Sequence, residues 1–223
     1  MMIAPIALTV LLAAPPAPMS ETLTRYIQAR EAEFGEISSG RRQQLAPVSD
    51  YIRKQSAAGK PVKLTFICTH NSRRSHLSQV WAKTAAAHYG VADVETFSGG
   101  SEVSAFNPRA IAALRRAGFQ IPELLEVGNP KYEVKWHSSA TPMVCFSKKY
   151  DQAPNPSSSF AAVMVCTQAD KACPLVAGAD ARFSVPYEDP KAFDDTPEEQ
   201  RMYDERTAQI ARELLFVFAQ AAK

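Results

Sequence analysis

Residues 64 to 75 read Leu64-Thr-Phe-Ile-Cys68-Thr-His-Asn-Ser-Arg-Arg74-Ser75, and the rest of the chain is organised around them. Leu64, Phe66 and Ile67 form the apolar run of a short buried strand that ends at Cys68. Polar residues follow without a break to Ser75, and Leu77, Val80 and Trp81 then recur at helical spacing. The order is strand, tight polar loop, helix, with Cys68 at the strand end and Arg74 where the helix begins.

That order has chemical content. Five residues separate Cys68 from Arg74. A loop of that length can curl until its amide N–H groups converge on one point, a nest for a tetrahedral oxyanion. The helix N-terminus adds partial positive charge, and a guanidinium at Arg74 can grip two oxygens of the anion at once. The same field favours a thiolate at Cys68, the form in which cysteine is a nucleophile. The competing interpretation is a buried cysteine followed by a solvated basic turn; the strand before it and Ser75 after it favour the site.

The segment Cys68-Thr-His-Asn-Ser-Arg-Arg74-Ser75 resembles the phosphate loop of the low-molecular-weight protein tyrosine phosphatases, and more closely that of the related thioredoxin-coupled arsenate reductases. Both families carry Cys-x-x-Asn-x-x-Arg-Ser. The resemblance implies Cys68 as nucleophile, Arg74 as the side chain on the oxyanion, Ser75 as support for the thiolate and Asn71 as the residue that holds the loop's shape. Thr69, His70, Asn71, Ser72, Arg73, Arg74 and Ser75 together would line the anion. Two positions depart from the pattern: His70 stands where a Gly is usual, and Arg73 where a Cys or another residue is usual.

The chain's 223 residues suffice for one substantial core, and 46% hydrophobic with 22% charged residues is ordinary for a globular protein. A net charge of +2 gives no ground for nucleic acid or an anionic lipid surface as partner. Four cysteines are too few for a disulfide scaffold at this length.

Residues 1 to 20 carry no charged side chain, and Ile3 to Ala14 is mostly apolar before Pro15, Pro16 and Pro18. The run is shorter than the roughly 20 residues a bilayer span needs, so stable membrane insertion is not expected. It fits a secretory signal poorly, lacking a basic residue ahead of the apolar run. Two locations stay open: exported or periplasmic if this segment is a signal, cytoplasmic otherwise. Residues 21 to 60 read as a helical extension of two amphipathic helices, with Leu23, Tyr26, Ile27 and Phe34 on one apolar face and Leu45, Val48, Tyr51 and Ile52 on the other. They break near Ser38-Ser39-Gly40, and the catalytic domain is expected over 61 to 223.

Downstream of the loop, 75 to 89 reads as a helix, Val94 to Phe97 as a second strand closed by Ser98-Gly99-Gly100, and Asn107-Pro108 as the start of a helix that Gly118 ends. His76 and His88 lack metal-ligand spacing, and no metal or other cofactor is expected. Between 121 and 160 the chain is longer than in the resembled families; Tyr132 to Trp136 alternates like a strand, Pro142 to Phe146 reads as another, and Cys145 as a small core residue. Phe160 to Val165 is a strongly buried strand that also ends in a cysteine, Cys166, and Cys173-Pro174 follows. The fold class is α/β: a roughly four-stranded parallel sheet with helices on both faces, plus the N-terminal helical extension.

Open α/β sheets place their sites at the carboxyl ends of strands, so Cys68 and Cys166 can share a crevice. Spacing alone slightly favours two unrelated thiols that happen to flank a loop. The reductase resemblance implies more: a redox pair with six residues between them directly after this strand, and a Pro after the second, which Cys166 and Cys173-Pro174 match. On a helix, residues seven apart are separated by about 10.5 Å along the axis, whereas a disulfide needs Cα atoms within about 7 Å. A Cys166–Cys173 disulfide therefore requires a loop, or a helix that unwinds. The resemblance also implies a general acid, an Asp directly before a Pro, which Asp189-Pro190 matches; Glu188, Asp194 and Asp195 are its rivals. The expected activity is reduction of arsenate by a Cys68–Cys166–Cys173 relay with a thioredoxin-like reductant. The alternative is hydrolysis of phosphotyrosine or small phosphoesters with Cys68, Arg74 and Asp189 alone. In the reductases an acidic potassium ligand often occupies the position of Gln79, so the sequence leaves potassium binding open here.

Overall fold

The computed structural model describes residues 19–173 and 175–223; the possible signal segment, but for its last residues, and Pro174 lie outside the described residues. Helices α1 (Glu21–Ala32) and α2 (Ser39–Ala57) precede strand β1 (Val62–Cys68). Helix α3 (Arg74–His88), strand β2 (Val94–Gly100) and helix α4 (Pro108–Arg116) follow. Strands β3 (Tyr132–Val134) and β4 (Met143–Cys145) lead to β5 (Phe160–Met164), α5 (Thr167–Ala172), β6 (Ala179–Ser184) and the C-terminal helix α6 (Glu199–Ala221). Short 3-10 turns occupy Glu33–Glu36 and Pro190–Phe193.

Four strands form one sheet in the order β2-β1-β5-β6, every neighbouring pair parallel. The α/β expectation holds, with α3 against β1 and β2, α2 reaching β1 and β6, and α6 packed on α1, α2, α3 and α4. The fourth strand was not marked in the sequence. Its residues Ala-Asp-Ala-Arg-Phe-Ser are mostly half-buried at the sheet edge, so they lack the continuous apolar run of a central strand. By contrast β5 is buried at every position.

The N-terminal helices are part of the core. Leu23 and Ile27 of α1 and Leu45 and Ile52 of α2 are fully buried, each side chain contributing about 1.5–3 kcal/mol by removal from water. Tyr26 stacks on Trp81 of α3 with ring centroids 5.4 Å apart, and Phe119 meets the same indole edge-on at 5.0 Å. Ser20 caps α1, and its hydroxyl also donates to the Gly118 carbonyl at 3.1 Å.

Within 121 to 160, β3 and β4 pair antiparallel as a two-stranded sheet of their own, with Tyr132 opposite Cys145. Both strands lie within the stretches expected of them, Tyr132 to Trp136 and Pro142 to Phe146. Cys145 is fully buried, as expected of a core residue. Burial pushes its thiol up to about 12, with Lys148 pulling the other way. The segment is anchored rather than loose: Gly100 bridges to Lys149, and Tyr150 donates its N–H to the Gly100 carbonyl at 3.0 Å. Side chains at 99 and 100 would collide with this packing. A Cβ on Gly99 would sit 2.3 Å from the Tyr150 Cα, and one on Gly100 would meet the Asn71 nitrogen at 2.7 Å.

Candidate active site

Thr69 to Arg73 form the loop between β1 and α3. Asn71 adopts φ +44°, the left-handed conformation that reverses the chain and that Asn tolerates better than most residues. Its side chain is bonded at both ends: Nδ2 donates to Ser75 Oγ at 2.8 Å, and Oδ1 accepts the Lys148 N–H at 2.9 Å. Ser75 Oγ lies 3.1 Å from Cys68 Sγ. Since Asn71 already donates to that hydroxyl, its own proton is free to point at the sulfur.

The loop's carbonyls are turned outward. Thr69 O accepts from the Glu102 N–H at 2.8 Å, His70 O from the Ser104 and Ser147 hydroxyls at 3.0 and 2.9 Å, and Ser72 O from the Asn107 N–H at 2.9 Å. Among the described residues, no N–H from Thr69 to Arg73 donates to a protein acceptor. Carbonyls bonded to outside segments and amides left without a protein acceptor is the pattern an anion nest requires. His70, the bulky departure, does not fill it: its ring is half-exposed and pairs with Glu102 at 3.1 Å.

Arg73, the other departure, turns its side chain to Asp189. Arg73 Nε lies 2.8 Å from Asp189 Oδ1 and its Nη2 3.2 Å from Oδ2, while Arg74 Nη2 lies 2.7 Å from the same Oδ2. Burial raises the carboxyl's pKa, but Arg74 and then Arg73 outweigh it and hold Asp189 below the ordinary carboxylate range. Pro190 follows and opens the 3-10 turn that Asp189 caps by accepting from the Lys191 N–H at 3.2 Å.

Two of the three rival acids are otherwise engaged. Asp194 accepts from the Tyr203 hydroxyl at 2.7 Å, Asp195 pairs with Arg109 at 2.6 Å, and Glu188 is exposed. Gln79 donates to the Thr96 carbonyl at 3.1 Å. His76 is fully buried and stacks on Phe106 at 4.1 Å. His88 pairs with Glu31 at 3.0 Å. No cluster of metal-ligating side chains occurs among the described residues.

Cys166 is fully buried at the end of β5, next to β1 in the sheet. Its sulfur lies 3.5 Å from the hydroxyl of Thr69, the residue after Cys68, and accepts from the Ala169 N–H at 3.3 Å as the cap of α5. Cys173 closes the other end of that helix, and all four cysteines are free thiols. Burial pushes the Cys173 thiol up; Arg182 opposes this and Cys166 adds to it. Two side chains of β6 clamp the helix. Arg182 donates to the Cys173 carbonyl at 3.0 Å and to the Asp170 carbonyl and carboxylate at 2.6 Å, and Ser184 to the Asp170 carboxylate at 2.7 Å.

Sequence reasoning missed several residues at the site. Tyr187 gives its carbonyl to Arg74 Nη1 at 3.0 Å, and Ser147 and Lys148 brace the loop from the extra segment. Ser147 and Lys148 lay in a stretch with no motif, and Tyr187 acts through its backbone, which leaves no mark on residue type. A cavity of about 860 Å³ opens between α1, α4 and α6, lined by Tyr26, Arg116 and Asp204 among others, but no residue of the loop reaches it.

The family model described as low molecular weight phosphotyrosine protein phosphatase matches residues 63–127. An arsenate reductase of Brevibacillus brevis is 29% identical over 147 residues, 66% of this chain and 90% of that protein. One from Staphylococcus aureus is 41% identical over 56 residues, 25% of this chain; the match spans only 40% of that relative's length. A crystal structure of a YwlE mutant from Bacillus subtilis superposes with TM-score 0.48 at 16% identity, covering 73% of this chain and 99% of that one. Over residues 63–127 the chain is thus similar to low molecular weight phosphotyrosine protein phosphatases, and over a longer stretch to an arsenate reductase.

Proposed function

We propose that the protein is an arsenate reductase that runs a three-cysteine relay. The observation that carries this reading is the position of Cys166, buried against Thr69 at the rim of the anion loop and joined to Cys173 by a single short helix. Hydrolysis needs neither thiol.

Arsenate binds in the nest of loop amides, with Arg74 on its oxygens. As the anion claims Arg74, Asp189 loses a partner that kept it ionised and gains a negative neighbour, so its carboxyl takes up a proton. Cys68 Sγ attacks arsenic while Asp189 gives that proton to the departing oxygen, which leaves as water. Cys166 then attacks the Cys68 sulfur. A sulfur–sulfur bond forms, the sulfur–arsenic bond breaks, and its electron pair stays on arsenic, which falls from As(V) to As(III) and departs as arsenite. Cys173 next attacks Cys166 and frees the Cys68 thiolate. The Cys166–Cys173 disulfide that remains takes two electrons from a dithiol reductant of the thioredoxin class.

The second reading is a phosphatase working through a phosphocysteine at Cys68, favoured by the match of residues 63–127 to the phosphatase family. Thioredoxin-dependent arsenite formation and aryl-phosphate hydrolysis, measured side by side, separate the two. A reductase loses arsenite formation in Cys68→Ser, Cys166→Ser and Cys173→Ser alike. A phosphatase loses hydrolysis in the first variant only.

A further inference from the structure

We infer that Arg41, on the N-terminal extension, is a positioning residue that braces the acid loop against the anion loop. The inference deepens the reading of Asp189 as proton donor and rests on it. Arg41 on α2 is held by Glu213 of α6, with Nη2 2.7 Å and Nε 2.9 Å from one carboxylate oxygen. Both side chains are largely withdrawn from water, 15% and 3% exposed, where a charge is held only because it is paired. Pinned there, the guanidinium lies over the Tyr187 ring, 4.8 Å from its centroid.

Tyr187 is the hub of the acid loop. The residue is 4% exposed, with Arg41 over its ring. Its N–H donates to the Val165 carbonyl at 3.1 Å, tying it to the end of β5. Its carbonyl accepts from Arg74 Nη1 at 3.0 Å. Two residues on, Asp189 meets Arg74 again at 2.7 Å. Arg41, Tyr187 and Arg74 thus form one contiguous stack running from the extension to the anion site. The backbone bond to Val165 fixes the loop's height at the sheet edge; the guanidinium over the ring fixes its tilt. Without that cover, the carboxyl at 189 swings relative to the loop it must reach, and a displacement of about 1 Å at a reacting group can cost 100-fold in rate.

The test compares wild type, Arg41→Ala, Arg41→Lys and Arg53→Ala. Arg53 joins the far end of α2 to α6 through the Gln220 carbonyl and touches neither loop, so its loss reports loosened docking alone. Hydrogen exchange over residues 185–189 needs no turnover. It is expected to rise at least tenfold in Arg41→Ala, partly in Arg41→Lys and not in Arg53→Ala, with β1 and α3 unchanged. In whichever activity the wild type shows, Arg41→Ala is expected to lower kcat about tenfold with KM within threefold, and to add no further loss to Asp189→Asn. Unchanged exchange at 185–189, an equal rise throughout the core, or losses that multiply in the double variant would overturn the brace. Normal exchange results with no turnover in the wild type would leave the brace standing and defeat the enzymatic reading instead.

Discussion

The carboxylate of Asp189 lies 2.7 Å from Arg74 and 2.8 Å from Arg73, so the proposed proton donor and the proposed anion-binding guanidinium are paired with each other across the mouth of the loop. An oxyanion must displace one charge to reach the other. The pairing also keeps Arg74 oriented, since its second nitrogen is held by the Tyr187 carbonyl.

Removing the competing carboxylate therefore separates binding from catalysis. In Asp189→Asn, inorganic phosphate is expected to bind about tenfold more tightly, equivalent to ~1.4 kcal/mol, while turnover falls by roughly 100- to 10,000-fold with the loss of the acid. Titration calorimetry and steady-state rates measure the two. Weaker phosphate binding in this variant would mean that Asp189 supports the anion site rather than competing for it.

Asn71 carries both the loop's conformation and its hydrogen bonds. Asn71→Ala places a side chain that disfavours φ +44° there and removes the bonds to Ser75 and Lys148. It is expected to cost about 2–4 kcal/mol of stability. Asn71→Gly restores the conformation but not the bonds, and is expected to recover part of that stability and little of the activity. Equal stability for both variants in denaturant titrations would show that backbone conformation is not the issue.

The helix α5 holds its two cysteines at opposite ends, Cys166 capping the start and Cys173 the finish. Oxidation has to unwind it. In a Cys68→Ser background, a mild thiol oxidant is expected to form a Cys166–Cys173 disulfide, with loss of amide protection at Ala169, Asp170 and Cys173 and release of the Arg182–Asp170 pair. Peptide mapping with hydrogen exchange checks both. A disulfide that forms with protection retained over these amides would show that no unwinding is needed.

Burial of His76, helped by the nearby positive charge of Lys148, lowers its pKa to about 3. An unfolded histidine titrates near 6.5, so between those values the unfolded chain binds the extra proton. Stability from this residue is fully present above about pH 7 and is lost as pH falls, by up to ~1.4 kcal/mol per unit. His76→Phe, which keeps an aromatic ring against Phe106, is expected to flatten the acid side of the stability profile between pH 6 and 4. An unchanged slope in denaturant titrations would mean that His76 is protonated in the fold.

How much of this was legible in the sequence follows from where the information lies. Cys68, Asn71, Arg74 and Ser75 lie in one short stretch, so spacing brings Cys68 and Arg74 together, while the parts of Asn71 and Ser75 came from the resemblance. Leu64, Phe66 and the fully buried β5 announce themselves as unbroken apolar runs, as central parallel strands do. The edge strand β6 does not, because half-exposed positions tolerate Asp180 and Arg182. Cys166 and Asp189 were proposed through family resemblance, since nothing local says which strand neighbours β1. Arg73 was read as an anion ligand by its place in the loop, whereas its side chain serves Asp189. Arg41 and Glu213 are 172 positions apart in the chain. Only the packing of α2 on α6 makes them one unit, and no local pattern encodes it.

The relay itself is tested most directly by a single turnover in the Cys173→Ser variant. Arsenate is added without reductant, the reaction is quenched in acid, and thiol pairing is mapped by mass spectrometry alongside released arsenite. The relay predicts one arsenite per protein and a Cys68–Cys166 disulfide that persists because nothing remains to resolve it. No arsenite and no disulfide, with Cys68 still able to form a phosphocysteine from an aryl phosphate, would contradict it.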